Sequence, residues 1–275
     1  MNDNLLGKTV WAPSNKCNQD CDFCYNYVDE KIFTLETYFQ MADKLKELGA
    51  NRFIWGGGEP LLFGHIESLM DYAASIDIQN VLVTNGRALT TERLDAIRPD
   101  EIRISIHSLD PAFNQKHRIS YPGEFYEDTI LRNLYNASTK DVRLCTSTVY
   151  LGQSEIDLLQ MAEQFARAGV KEWTFQELTN IRGNAVNING ICTTDHILQV
   201  VNRLNELDYP LKIAFNSADR LNNEYEAVNP SGELTAVRGG KDIVIGNAAT
   251  DSVELLREGL EQIKNCRNLS YEKEC

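Results

Sequence analysis

At 275 residues, 43% of them apolar, the chain has material for a large buried core, either one domain or a barrel with an appended segment. A formal net charge of −13 excludes an extended basic face for DNA or RNA, so no nucleic-acid polymer is expected as a partner, although a local basic pocket stays open. No run approaches the roughly 18–20 consecutive apolar residues of a membrane span, and the start MNDNLLGKTV carries no apolar export core. A cytoplasmic protein without membrane contact is expected.

Along the chain, β-rich apolar runs alternate with helical patterns, which argues for a parallel sheet with crossover helices. A first strand at 9–12 leads into a cysteine-bearing loop. Thr34 caps a helix with Leu35, Tyr38, Ala42, Leu45 and Leu48 at helical spacing, and Gly49 stops it. Strand two is 52–55, and a helix at 65–76 precedes strand three at 81–84. A helix at 91–97 precedes strand four at 102–106, and a helix at 126–137 leads to strand five at 142–149. A helix at 155–168 ends at Gly169, before strand six at 172–176. Beyond residue 180 the pattern changes. IRGNAVNINGICTT reads as a Gly/Asn-rich loop, helix 195–206 and strand 211–215 close the sheet edge, and short strands in EYEAV and ELTAV flank the turn NPSG. Residues 1–180 are read as a barrel and 181–275 as a cap with this hairpin and a final helix at 251–264.

Three of the seven cysteines, Cys17, Cys21 and Cys24, stand as C-x3-C-x2-C inside KCNQDCDFCYN. Three thiolates within eight residues can hold an inorganic cluster without completing it: a cubane [4Fe–4S] cluster has four irons, each normally ligated. One iron is then left open to a small molecule, as catalytic zinc sites keep a position free. A structural zinc site would want a fourth Cys or His nearby, yet the next candidate, His65, lies beyond a helix and a strand. The cysteines are otherwise too few and irregular for a disulfide scaffold, and thiolates meant for iron need a reducing, low-oxygen setting. Residues 51–60 read NRFIWGGGEP, where Gly57 and Gly58 after a strand permit close approach to the backbone and Glu59, before Pro60, offers a carboxylate to an ammonium group. Alone, that segment reads equally well as an ordinary βα turn.

Together, the two motifs resemble those of the radical S-adenosylmethionine (SAM) enzymes over roughly residues 8–180. In that family the cysteine loop holds a [4Fe–4S] cluster, with an aromatic before the last cysteine, and Phe23 stands there. A GGEP segment, here Gly57, Gly58, Glu59 and Pro60, meets the methionyl amino group of SAM. The resemblance implies an α/β fold, a partial (β/α)6 TIM-like barrel open on one side, with chemistry at the carboxyl ends of its strands. It implies one electron passed from cluster to SAM, and a 5′-deoxyadenosyl radical able to take hydrogen from an unactivated C–H bond. A reductant such as flavodoxin or ferredoxin is expected.

The other strand ends supply further candidates. Asn85 offers donor and acceptor, though Asn before Gly also suits a plain turn. Ser105 and His107 alternate onto one strand face. By the resemblance Ser105, and Arg118 in HRISYPGEF, bind the SAM carboxylate or ribose, and Ser147 the ribose; Thr146, Ser147 and Thr148 are equally ordinary strand formers. Gln176 and Glu177 could reach adenine or substrate. His107 and His117 are candidates for substrate contact, set against simple structural roles. Cys192 could donate a hydrogen atom, whereas Cys145 reads as core, and with no C-x2-C among the late cysteines no auxiliary cluster is expected.

The late segment EYEAVNPSGEL, with Gly246 and Asn247, resembles the group holding peptide-modifying enzymes, the molybdenum-cofactor GTP cyclase and viperin. The leading expectation is hydrogen abstraction from a small metabolite or peptide in natural-product or cofactor biosynthesis. A viperin-like nucleotide dehydratase is the alternative; it needs cations for a triphosphate, with Lys116, Arg118, Arg143, Lys171, Arg182 and Lys212 on offer. An iron–sulfur or zinc protein that senses redox state is the non-enzymatic one. Radical methylation is a further possibility.

Overall fold

The computed structural model describes residues 5–27, 30–120, 126–179, 193–223 and 225–269. The expected βα alternation is present. Strand β1 (Lys8–Trp11) and the short β2 (Gln19–Cys21) precede α1 (Leu35–Glu47), β3 (Arg52–Trp55), α2 (Ile66–Ser75) and β4 (Gln79–Thr84). Next come α3 (Thr91–Ala96), β5 (Glu101–Ser105), α4 (Pro111–His117), β6 (Arg118–Ser120), α5 (Tyr126–Ser138), β7 (Arg143–Val149), α6 (Glu155–Arg167) and β8 (Glu172–Gln176). The remainder comprises α7 (Thr194–Asn205), β9 (Lys212–Asn216), α8 (Ala218–Asn223), β10 (Glu226–Val228), β11 (Glu233–Arg238), β12 (Lys241–Asn247) and α9 (Val253–Leu269). Thr34 caps α1 as its sequence suggests, accepting from the Thr37 amide at 3.2 Å.

One ten-stranded sheet has the order β12-β11-β10-β1-β3-β4-β5-β7-β8-β9. Every pairing from β10 across to β9 is parallel, while β10–β11 and β11–β12 are antiparallel. The sheet is an open parallel barrel wall, and the hairpin expected in the cap is stitched to its first strand through β10. Helix α4 and a separate two-stranded ribbon of β2 with β6 had no counterpart in the sequence reading. Strand β12 and helix α8 are further additions, and the last helix runs on to Leu269.

Alternation sorts side chains to the two faces of the wall. Ile102, Ile104, Leu144, Trp173, Phe175 and Ile213 join helix residues such as Leu158, Met161 and Phe165 in the main core. The opposite face carries polar rows. The first is Arg103, Cys145, Glu172 and Lys212; the next, toward the carboxyl ends, is Ser105, Ser147, Thr174 and Ala214. At the amino ends the charges pair with one another. Arg103 meets Glu101 at 2.9 Å and Glu172 at 3.1 Å, Arg143 meets the same two carboxylates, and Lys212 reaches Glu172 at 3.2 Å.

Near the first strands, Trp11 stacks on Trp55 with ring centroids 5.2 Å apart. The buried Trp55 indole donates to Asn80 Oδ1 at 2.7 Å, and Asn80 Nδ2 donates to the Met70 carbonyl at 3.0 Å. Replacing Asn80 by Ala leaves a buried indole N–H and a carbonyl unmatched, so Asn80→Ala is expected to cost about 1–3 kcal/mol in denaturant unfolding. A loss within error of zero would contradict the importance of that bond.

Candidate active site

The site is built where two loops leave adjacent strands. After β1 the cysteine loop lies directly on the GGEP segment after β3. Gly56 N–H donates to the Trp11 carbonyl at 2.9 Å, Gly58 N–H to Ser14 at 3.1 Å and Glu59 N–H to Lys16 at 2.7 Å. The glycines are required by this contact. A Cβ at Gly57, whose φ is +102°, would strike the Ser14 carbonyl, and one at Gly58 would strike the carbonyls of Asn15 and Lys16. The close approach the glycines permit is that of the cysteine loop itself.

Glu59 turns inward, 1% exposed. Its Oε1 accepts from the Leu61 amide at 3.1 Å and Thr84 Oγ1 at 2.7 Å, and its Oε2 from the Asn85 amide at 2.8 Å. Burial raises its pKa, and these donors oppose the rise. Glu59 thus ties the GGEP segment to the end of β4, and Oε2 keeps one of its two acceptor positions. Pro60 opens a short 3-10 turn, Pro60–Leu62, capped by the same carboxylate. Asn85 reaches across to the cysteine loop: Nδ2 donates to Asn18 Oδ1 at 2.7 Å and lies 3.8 Å from Cys17 Sγ.

Of the three motif thiols, Cys17 and Cys24 are exposed and Cys21 is partly buried. Burial raises the pKa of Cys17 and pushes Cys21 up to about 11. The thiols also raise one another electrostatically, so they lie close enough for their charges to interact. Donors already face the sulfurs: the Gln19 amide and Asn85 side chain at Cys17, and Arg118 at Cys21. Among the described residues no three His, Cys, Asp or Glu side chains converge on a single metal ion. A cubane presents its irons at separate corners and asks for a wider spread of thiolates. Three thiolates close enough to repel one another, two of them faced by N–H donors, fit such a cluster, which supplies the positive charge that offsets the repulsion.

Around this centre the other candidates divide. Phe23 packs edge-on to His107, with centroids 4.8 Å apart. His107 Nδ1 accepts from the Val149 amide at 2.9 Å, which fixes the Nε2–H tautomer. Burial, reinforced by Arg118, holds that imidazole neutral, its pKa well below 6.5. Ser105 and Ser147 face each other at 3.4 Å on neighbouring strands. Gln176 ends β8 beside Val149. His117, one of the candidates for substrate contact, bonds Asp22 through Nδ1 at 2.9 Å. Cys192 and Arg182 lie outside the described residues. The sequence offered no sign of Gln19, Asn18 or Asp22 as site neighbours, because their partners lie on distant segments.

The profile of the Radical SAM superfamily matches residues 11–165, more than half of the chain, and the chain belongs to that superfamily. It is therefore a member of a family of SAM-using enzymes. It is 26% identical over 243 residues to the S-adenosylmethionine-dependent nucleotide dehydratase of Lacinutrix mariniflava, covering 82% of this chain and 48% of that protein. It is 30% identical over 152 residues to a probable GTP 3′,8-cyclase of Pyrobaculum aerophilum, covering 53% of this chain and 48% of that protein. The chain thus spans about half the length of these curated relatives. In fold it matches SuiB of Streptococcus suis bound to the precursor peptide SuiA, with a TM-score of 0.74 at 16% identity over 91% of this chain and 64% of that one. It also matches anSMEcpe with bound AdoMet and a Cp18Cys peptide, with a TM-score of 0.74 at 15% identity over 98% of this chain and 84% of that one. The open parallel wall is thus the TIM-like barrel of radical SAM enzymes.

Two outcomes follow from the geometry. Gly58→Ala is expected to push the cysteine loop off its seat at a cost of about 1–3 kcal/mol, with iron and sulfide content after anaerobic reconstitution falling several-fold. Wild-type loading would contradict it. His107 refuses a proton that the unfolded chain accepts near pH 6.5, so stability is lost as pH falls below that value, by up to about 1.4 kcal/mol per pH unit. His107→Gln, which keeps an acceptor for the Val149 amide, should flatten the melting-temperature profile between neutral and mildly acidic pH; an unchanged slope would refute this origin.

Proposed function

We propose that Cys17, Cys21 and Cys24 hold one [4Fe–4S] cluster, and that SAM binds beside it against Phe23, Gly57, Gly58, Glu59, Pro60, Asn85, Ser105 and Ser147. The observation that carries this reading is the docking of the cysteine loop on the GGEP segment, with Asn85 touching both. When bound, the cluster supplies the electron that splits SAM into methionine and a 5′-deoxyadenosyl radical, which takes hydrogen from substrate. The chain's own groups orient and shield. Glu59 fixes the loop and presents the remaining Oε2 position to an ammonium group, Phe23 and neutral His107 form an apolar wall, and Ser105 and Ser147 offer hydroxyls on the interior face. Residues 1–180 carry this chemistry and 181–275 cap it. The electron donor is proposed to be a flavodoxin or ferredoxin, and the setting a reducing cytoplasm. Among the described residues no helix is long and apolar enough to cross a membrane.

The substrate is proposed to be a small metabolite or peptide. The interior row above the paired charges is uncharged: Ser105, Ser147, Thr174 and Ala214. Of the cations a triphosphate would need, Arg143 and Lys212 are paired to Glu101 and Glu172 at the amino ends, opposite the cysteine loop. Arg118 is 2% exposed. Burial of polar, uncharged partners suits a peptide or polyol better than a triphosphate. The nucleotide dehydratase reading keeps its place through the Lacinutrix relative.

Anaerobically reconstituted protein given a strong reductant and SAM is expected to release 5′-deoxyadenosine, and Cys24→Ala to lose both cluster and release. Full iron–sulfide content with undiminished SAM cleavage in that variant would end the assignment. S-adenosylhomocysteine appearing alongside 5′-deoxyadenosine would indicate methyl transfer instead.

A further inference from the structure

We infer that Arg118 is a positioning residue for the cluster: it clamps Cys21 and raises the cluster's reduction potential. The inference rests on the cluster reading above and adds a role for a side chain that the family likeness assigns to SAM. Arg118 stands directly opposite Cys21 in the antiparallel β2–β6 ribbon, where facing side chains share a side. Its guanidinium is buried and gripped from two directions. Nη1 donates to the Ser105 carbonyl at 2.8 Å, and Nη2 donates to Gln19 Oε1 at 2.6 Å. Gln19 lies two residues before Cys21 on the same short strand, so the arginine ties the cysteine loop to the end of β5. The guanidinium lies within electrostatic reach of the Cys21 sulfur.

The same cation lies within electrostatic reach of Glu59 and His107, and so stands where the cysteine loop, the GGEP segment and the β5 end meet. Its consequence is physical. A cluster on three thiolates gains one negative charge on reduction, and a fixed buried cation stabilises the more negative state more. Hydrogen bonds and charge near the sulfurs raise the potential by the same logic. A planar fork held by two carbonyl oxygens keeps that charge in place, which a flexible ammonium would not.

The test is a potentiometric titration of the reconstituted full chain without SAM, following the electron paramagnetic resonance (EPR) signal of the reduced cluster. In Arg118→Met the ratio of reduced to oxidised cluster at the wild-type midpoint is expected to fall at least tenfold, a shift of about 59 mV for one electron. Arg118→Lys should shift in the same direction by less. A methionine variant with wild-type cluster content and wild-type potential would overturn the inference, as would a shift that emerges only when SAM is added, the mark of an arginine acting on the cosubstrate. If Arg118→Met does not fold, the lysine variant decides, and an unchanged potential there overturns it. Wild-type protein that takes up no cluster would remove the reading beneath the inference, an outcome distinct from any shift between variants.

Discussion

The site depends on a contact between two stretches of main chain. The carbonyls of Ser14 and Lys16 in the cysteine loop meet the amides of Gly58 and Glu59, and no side chain fits between them. This seat fixes where the thiols stand relative to Asn85 and the strand ends. Glu59 extends it inward, since its buried carboxylate gathers donors from Leu61, Thr84 and Asn85 and so locks two successive βα loops together. Such a buried, multiply bonded carboxylate is costly to disturb, because each lost donor would leave buried charge unmatched.

The cysteine loop is held from its far side too. His117 and Arg118 grip Asp22 and Gln19 through the β2–β6 ribbon. Further on, the Lys31 amide donates to the Pro230 carbonyl at 3.1 Å, and Lys44 Nζ donates to the Ala248 and Asp251 carbonyls at 3.0 and 2.7 Å. The NPSG turn and the Ala248–Asp251 segment therefore act on the barrel's first βα unit, besides the pairing of β10 with β1. The late hairpin thus braces the segment that follows the cysteine loop and the helix α1.

Much of this was legible in the sequence, for definite reasons. The apolar run FIW and the alternating IRIS read as strands, and the helix start at Thr34 carries a capping side chain that the structure uses. The two motifs are local, so their residue types survive any uncertainty in packing. The β2–β6 ribbon was not legible, because three-residue strands carry no period and their partner lies on a distant excursion after β5. The inward turn of Glu59 was equally hidden: it is set by Thr84 and Asn85, which only the neighbouring strand brings near. The polar interior could be suspected from Ser105 alone, but its paired floor of Glu101, Arg103, Arg143, Glu172 and Lys212 needed the register.

The most direct measurement compares the EPR signal of the reduced, reconstituted protein with and without SAM. A cluster held by Cys17, Cys21 and Cys24 alone keeps one iron open, and SAM binding there must alter the signal's shape. An identical spectrum at saturating SAM would mean that the fourth iron is closed or absent, and would contradict the three-thiolate site.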